Sequence, residues 1–194
     1  MHFKKWAIFC LDKDYENGQY LQEKFYNLSK NKSLKIEVEY GDIISLKNYS
    51  QIEDFKYAID QYFYQYVAAH SKKGGKQTMS QELNKEIYFF VVIIPDQCRH
   101  EVFYAALKNK INGECPVISQ FVQNRTILKD NDNVFMNIVR QINTKLGGDL
   151  WRINFGKEIS KKTMLVGIDV CHKGKQSIIG FVATYDSHLC KYYT

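Results

Sequence analysis

Ile87-Tyr88-Phe89-Phe90-Val91-Val92-Ile93-Ile94 decides the fold. Every residue in it is aliphatic or aromatic, and Pro95 follows at once. A strand with one wet face alternates apolar and polar residues. A run without alternation predicts a central parallel strand covered on both faces. Parallel strands need crossover helices, so the segments on either side should supply them.

They do. Upstream, Trp6 to Leu11 reads as a second apolar strand ending at Asp12. Glu16 to Ser29 carries Tyr20, Leu21, Phe25 and Leu28 near helical spacing. Leu34, Ile36, Val38 and Tyr40 alternate with charged residues, the period of a half-buried strand. Ser50 and Glu53 form a capping-box pattern, and Ile52, Phe55, Ile59, Phe63 and Val67 continue at helical spacing to about His70. Ser71 to Gln81 is polar, with Gly74-Gly75 and three lysines; its composition favours a solvated loop over a nucleic-acid patch.

Downstream, residues from about Cys98 to Lys110 suit a helix, Pro116 to Phe121 a short strand, and Val134 to Leu146 a helix stopped by Gly147-Gly148. This order predicts an open, mostly parallel α/β sheet. After Trp151 the pattern changes. Thr163 to Cys171 and Ser177 to Tyr185 read as an antiparallel hairpin joined through Lys173-Gly174-Lys175. The expected organisation is a domain over 1–150 and the opening piece of a second over 151–194.

The 194 residues carry 27 Lys+Arg against 21 Asp+Glu, a formal charge of +6. That excess permits a nucleic-acid partner without requiring one. No apolar run approaches the roughly 20 residues of a membrane helix. Five cysteines without repeated spacing fit reduced thiols in an intracellular protein, cytoplasmic or nuclear. Cys98/His100, Cys171/His172 and His188/Cys190 lack zinc-finger spacing. There is no G-x-x-x-x-G-K-[ST] loop and no G-x-G-x-x-G after the first strand, which counts against nucleotide-cofactor chemistry.

Two groups of residues could carry function. Asn137, Gln141 and Lys145 form one polar stripe on a helix whose other face is Phe135, Ile138, Val139, Ile142 and Leu146. Tyr104 and Lys108 share a face of the preceding helix, and Gln120 lies between the helices on a short strand. If convergent, they offer donors and positive charge to a phosphate and a ring to a base. Spacing alone also fits a solvated face. Asp169 lies within Met164-Leu165-Val166-Gly167-Ile168-Asp169-Val170-Cys171. A carboxylate in such a strand is costly unless a cation or hydrogen bonds satisfy it, or unless that face is wet.

The sequence resembles the Argonaute/Piwi family. Tyr104-x-x-x-Lys108 with Gln120, Gln141-Ile-Asn-Thr-Lys145-Leu-Gly-Gly148-Asp-Leu-Trp151, and Met164 to His172 with Gly180-Phe-Val-Ala-Thr184 carry the likeness. Gln141 and Leu-Gly-Gly-x-Leu-Trp are more similar to the Piwi branch. The resemblance implies a Rossmann-like MID domain, followed by the hairpin that begins an RNase H-like PIWI domain. It implies binding of a 5′-phosphorylated small guide RNA in RNA silencing. Tyr104 would stack on the first base and touch its phosphate. Lys108, Gln120, Gln141 and Lys145 would hold the phosphate oxygens, and the loop Asp96 to Glu101 would face the base edge. Mg²⁺ would bridge the 5′ phosphates and, in an intact PIWI domain, bind Asp169 as the first tetrad carboxylate.

The other tetrad residues and the PAZ domain would lie outside these 194 residues. The expectation is therefore a binding module without a complete nuclease site. The competing readings are an inert piece of a guide-directed endonuclease and a Rossmann-like interaction domain unrelated to RNA. Phe121 is bulkier than the small residue the resemblance leads one to expect.

Overall fold

The computed structural model describes residues 2, 3, 5–30, 37–71, 88–115, 117–152, 154–156, 159, 160 and 162–193. The chain divides into two compact units, Met1–Leu146 and Gly147–Thr194.

In the first unit the strands β1 (His2–Phe3), β2 (Lys5–Leu11), β3 (Glu37–Val38), β4 (Asp42–Leu46), β5 (Tyr88–Ile94) and β6 (Ile118–Gln123) alternate with helices α1 (Tyr15–Ser29), α2 (Ile52–Ser71), α3 (His100–Gly113), α4 (Asn124–Ile127) and α5 (Asp132–Lys145). Four strands form an all-parallel sheet in the order β4-β2-β5-β6. Its register sets Ile8 opposite Ile43 on one side and Val91 on the other.

The period of two sorts the core. Trp6, Ile8, Cys10, Phe89, Val91, Ile93 and Val122 face α1 and α5, where Leu21, Phe25, Phe135, Val139 and Ile142 meet them. Ala7, Phe9, Leu11, Phe90, Val92 and Ile94 face α2 and α3, where Phe55, Ile59, Phe103, Leu107 and Ile111 meet them. Both faces of the run 89–94 are therefore dry, as its lack of alternation requires. Each fully buried large side chain contributes about 1.5–3 kcal/mol.

The edge strand departs from expectation. The alternating segment Leu34 to Tyr40 supplies only Glu37–Val38, paired with His2–Phe3; Leu34 and Ile36 lie outside the described residues. The sheet's own edge is β4, whose half-buried residues do not alternate cleanly. Gly41 lets the chain enter it: a Cβ there would lie 2.4 Å from the carbonyl oxygen of Trp6. Trp6 Nε1 donates to Glu39 O at 2.7 Å, and Gln22 Nε2 to Gly41 O at 2.7 Å, fixing this approach.

Helix ends shift by a residue or two. The capping pair is not Ser50 with Glu53. Gln51 N donates to Asp54 Oδ2 at 2.6 Å, one position later, and Glu53 pairs with Lys56. α3 starts at His100, after an extended Arg99. At α5, Asn131 Oδ1 accepts from Asn133 N, and Gly147 takes φ +83° past its end. The lysine loop from 72 to 81 lies outside the described residues.

The second unit is a three-stranded antiparallel sheet of β7 (Val166–Lys173), β8 (Gln176–Thr184) and β9 (Tyr192–Tyr193). The hairpin turns at Gly174, φ +63°, and Asp169 sits opposite Gly180. All five cysteines are free. Among the described residues no helix is long and apolar enough to cross a membrane.

Candidate functional site

β6 is an edge strand, and its alternation distributes its side chains between two helices. Ser119 and Phe121 face α3; Gln120 and Val122 face α5. Lys108 and Tyr104 sit one turn apart on α3, as Lys145 and Gln141 do on α5. The strand edge therefore collects side chains from both layers.

Lys108 Nζ donates to Ser119 Oγ at 2.8 Å. Lys145 Nζ donates to Ser119 O at 2.8 Å and to Gln120 Oε1 at 2.7 Å. Gln120 Nε2 donates to Gln141 Oε1 and to Phe121 O, both at 3.2 Å. Four of the residues expected at a phosphate are thus brought together through Ser119. That serine is 1% exposed and Gln120 7%. A recess of about 380 Å³ opens beside them, lined by Lys108, Asn112, Val117, Ile118, Ser119 and Lys145.

The electrostatics are one-sided. Neither Lys108 nor Lys145 has an ion pair among the described residues; their partners are neutral oxygens. Burial pushes the Lys108 ammonium below the ordinary lysine pKa. Burial lowers Lys145 as well, and repulsion from Lys108 adds to it. Two partly dehydrated cations facing one recess would gain strongly from a shared anion.

Tyr104 lines a different recess from the lysines. Its ring, 45% exposed, packs edge-on against Phe121 at 4.9 Å and 70°. Lys108 Nζ lies 6.0 Å from the Phe121 ring centre. A second recess of about 310 Å³ is lined by Ile94, His100, Glu101, Tyr104, Phe121 and Gln123. The bulk of Phe121 thus serves as the wall beside Tyr104. Within the loop 96–101, Asp96 accepts from Asn124 Nδ2 and Arg125 N, both at 3.3 Å.

Ser119, Asn112 and Gln123 are the site residues sequence reasoning missed. Two had a signal: Asn112 lies one helical turn beyond Lys108, and Gln123 shares strand parity with Phe121; Ser119 had none.

Asp169 belongs to the second unit and is exposed. Its Oδ1 accepts from Val170 N at 2.9 Å. Water on that face removes the cost a buried carboxylate would carry. Among the described residues no group of three or more His, Cys, Asp or Glu could hold a metal ion. The lysine recess offers donors and cations, which do not fit a divalent ion.

Residues 89–194 match the Piwi domain family. Piwi-like protein 1 of Gallus gallus is 36% identical over 96 residues, which are 47% of this chain and 11% of that protein. The chain thus matches only a small part of that relative's length. The fold resembles the crystal structure of Drosophila Piwi, with a TM-score of 0.67 at 14% identity, over 97% of this chain and 23% of that one. It also resembles Kluyveromyces polysporus Argonaute with a guide RNA, with a TM-score of 0.66 at 14% identity, over 99% of this chain and 23% of that one.

Proposed function

This chain belongs to the Piwi domain family, and from that premise we propose that its first unit is a MID-like module anchoring the 5′-phosphorylated end of a small guide RNA in RNA silencing. The observation that carries the reading is the pair Lys108 and Lys145, brought to one strand edge with neutral partners only among the described residues. A terminal phosphate takes their charge and adds hydrogen bonds from the Ser119, Gln120 and Gln141 cluster. A 5′ hydroxyl leaves both ammoniums partly dehydrated and uncompensated. Tyr104 supplies the ring on which the first base stacks.

In this reading the first unit binds RNA, and a two-metal displacement would need further carboxylates converging with Asp169.

The test is a titration of the full chain with one short RNA carrying either a 5′ phosphate or a 5′ hydroxyl. Clearly tighter binding of the phosphorylated form is expected. Equal affinities overturn the proposal.

A further inference from the structure

We infer that a hard divalent cation such as Mg²⁺ binds between Asp14 and Asp96, outside the carboxyl ends of β2 and β5. This position is separate from the 5′-end reading above, since neither carboxylate lines either recess.

The sheet order β4-β2-β5-β6 places both residues. From β2 the chain passes through α1 to β4 on one side, and from β5 through α3 to β6 on the other. α1 packs on one face of the sheet and α3 on the opposite face. Where the direction of winding reverses, between β2 and β5, the connections part. That switch point is the usual place for a ligand in an open α/β sheet. Asp14 comes three residues after Leu11, the end of β2, and Asp96 two residues after Ile94, the end of β5.

The polar groups there are negative and incompletely satisfied. Asp14 is 3% exposed, and its Oδ2 accepts no hydrogen bond among the described residues. It is the N-cap residue of α1, yet its side chain caps none of the helix amides. A dehydrated carboxylate oxygen without a donor is costly unless a cation reaches it. Charge repulsion from Asp96 also reaches Asp14. Lys13 opposes that repulsion but donates no hydrogen bond to Oδ2. Asp96 is held in place by Asn124 Nδ2 and Arg125 N, and Asn124 Oδ1 in turn accepts from Asn17 Nδ2 at 2.8 Å. One carboxylate is thus fixed by hydrogen bonds, and the other keeps an unused oxygen.

Oxygen donors suit Mg²⁺ or Ca²⁺ better than the softer transition metals. Mg²⁺ is commonly held by one or two carboxylates and keeps several of its waters, so the site needs no third acidic residue. The bound ion cancels the repulsion between the carboxylates and ties the start of α1 to the loop after β5.

The experiment uses the full chain without RNA, at constant ionic strength. Calorimetric titration with MgCl₂ should show saturable binding, and the melting temperature in chelator should rise as Mg²⁺ is added, because the ion binds the folded state. Asp14→Asn and Asp96→Asn should each weaken Mg²⁺ binding at least about tenfold, the effect of losing one charged partner. In chelator, Asp14→Asn should melt no lower than the parent, which separates lost binding from lost folding. No saturable Mg²⁺ binding by the parent chain, or binding unchanged in either variant, overturns the inference and leaves the 5′-end reading standing.

Discussion

Lys145 Nζ, on the last residue of α5, lies 2.8 Å from the carbonyl oxygen of Ser119 on the edge strand β6. One ammonium thereby ties α5 to the backbone of the edge strand. The same ammonium feels Lys108, which reaches Ser119 Oγ from α3. Two like charges share one serine, and repulsion from Lys108 adds to burial in lowering the Lys145 pKa.

Removing either cation should cost affinity selectively. Lys108→Ala and Lys145→Ala are each expected to weaken binding of 5′-phosphorylated RNA by about 1–3 kcal/mol, the scale of a lost charged hydrogen bond. The 5′-hydroxyl form should hardly change. Because both lysines touch one anion, the double variant should lose less than the sum. Titrations of the three variants check this, and equal losses for both RNAs would place the phosphate elsewhere.

The pH profile should be a plateau with two edges. Affinity rises as pH passes about 6, where a phosphate monoester loses its second proton. It falls again on the alkaline side, before the ordinary lysine value of 10.5, because both free lysines have depressed pKa values. An oligoadenylate avoids titrating bases in that range. Affinity held constant past the ordinary lysine value would contradict the assignment of these ammoniums to the anion.

Gly41→Ala should destabilise the first unit by about 1–3 kcal/mol, the usual cost of overpacking. The new methyl would meet Trp6 backbone and indole together, at 2.4 and 2.9 Å, and neither is the loose end of a flexible chain. Urea unfolding followed by tryptophan fluorescence reads the loss directly. A variant as stable as the parent would show that β4 can retreat from β2.

Asp14→Asn should stabilise the protein at neutral pH by about 1 kcal/mol. Asp14 is 3% exposed, and its Oδ2 has no hydrogen-bond partner among the described residues. Burial, with Asp96 adding to it, raises its pKa above the ordinary carboxylate value; Lys13 opposes them. A raised folded-state pKa favours folding below the unfolded value and loses that advantage as pH climbs through the folded one. The gain from Asn should therefore shrink as pH falls through the carboxylate range. A gain that does not depend on pH would point to packing instead.

The parallel sheet was legible because its centre is unambiguous: Phe89 to Ile94 are all apolar and all buried, and Trp6 to Leu11 repeats the pattern. β4 was not, because an edge strand is half wet and Asp42 to Leu46 lacks alternation. Its presence depends on Gly41 fitting under Trp6, a tertiary fact. In the site, Lys108, Gln120, Gln141 and Lys145 were readable as polar positions on known elements. Their meeting was not, since it needs β6 to lie at the sheet edge with a helix on either side. Ser119, the residue both lysines touch, is a small hydroxyl with no spacing signature of its own.

The sheet order also sets a timetable. Lys5 to Phe9 must wait for Tyr88 to Val92, with which it pairs, and for Asp42 onward on its other side. A chain emerging from the ribosome presents β2 well before its inner neighbour β5, with α1 and α2 among the elements in between. Pairing over such separations makes closure of the sheet the slow event, with the helices free to form earlier. Until β5 arrives, the apolar run Trp6 to Leu11 has no complete shelter, the kind of exposed strand that is prone to aggregate during folding.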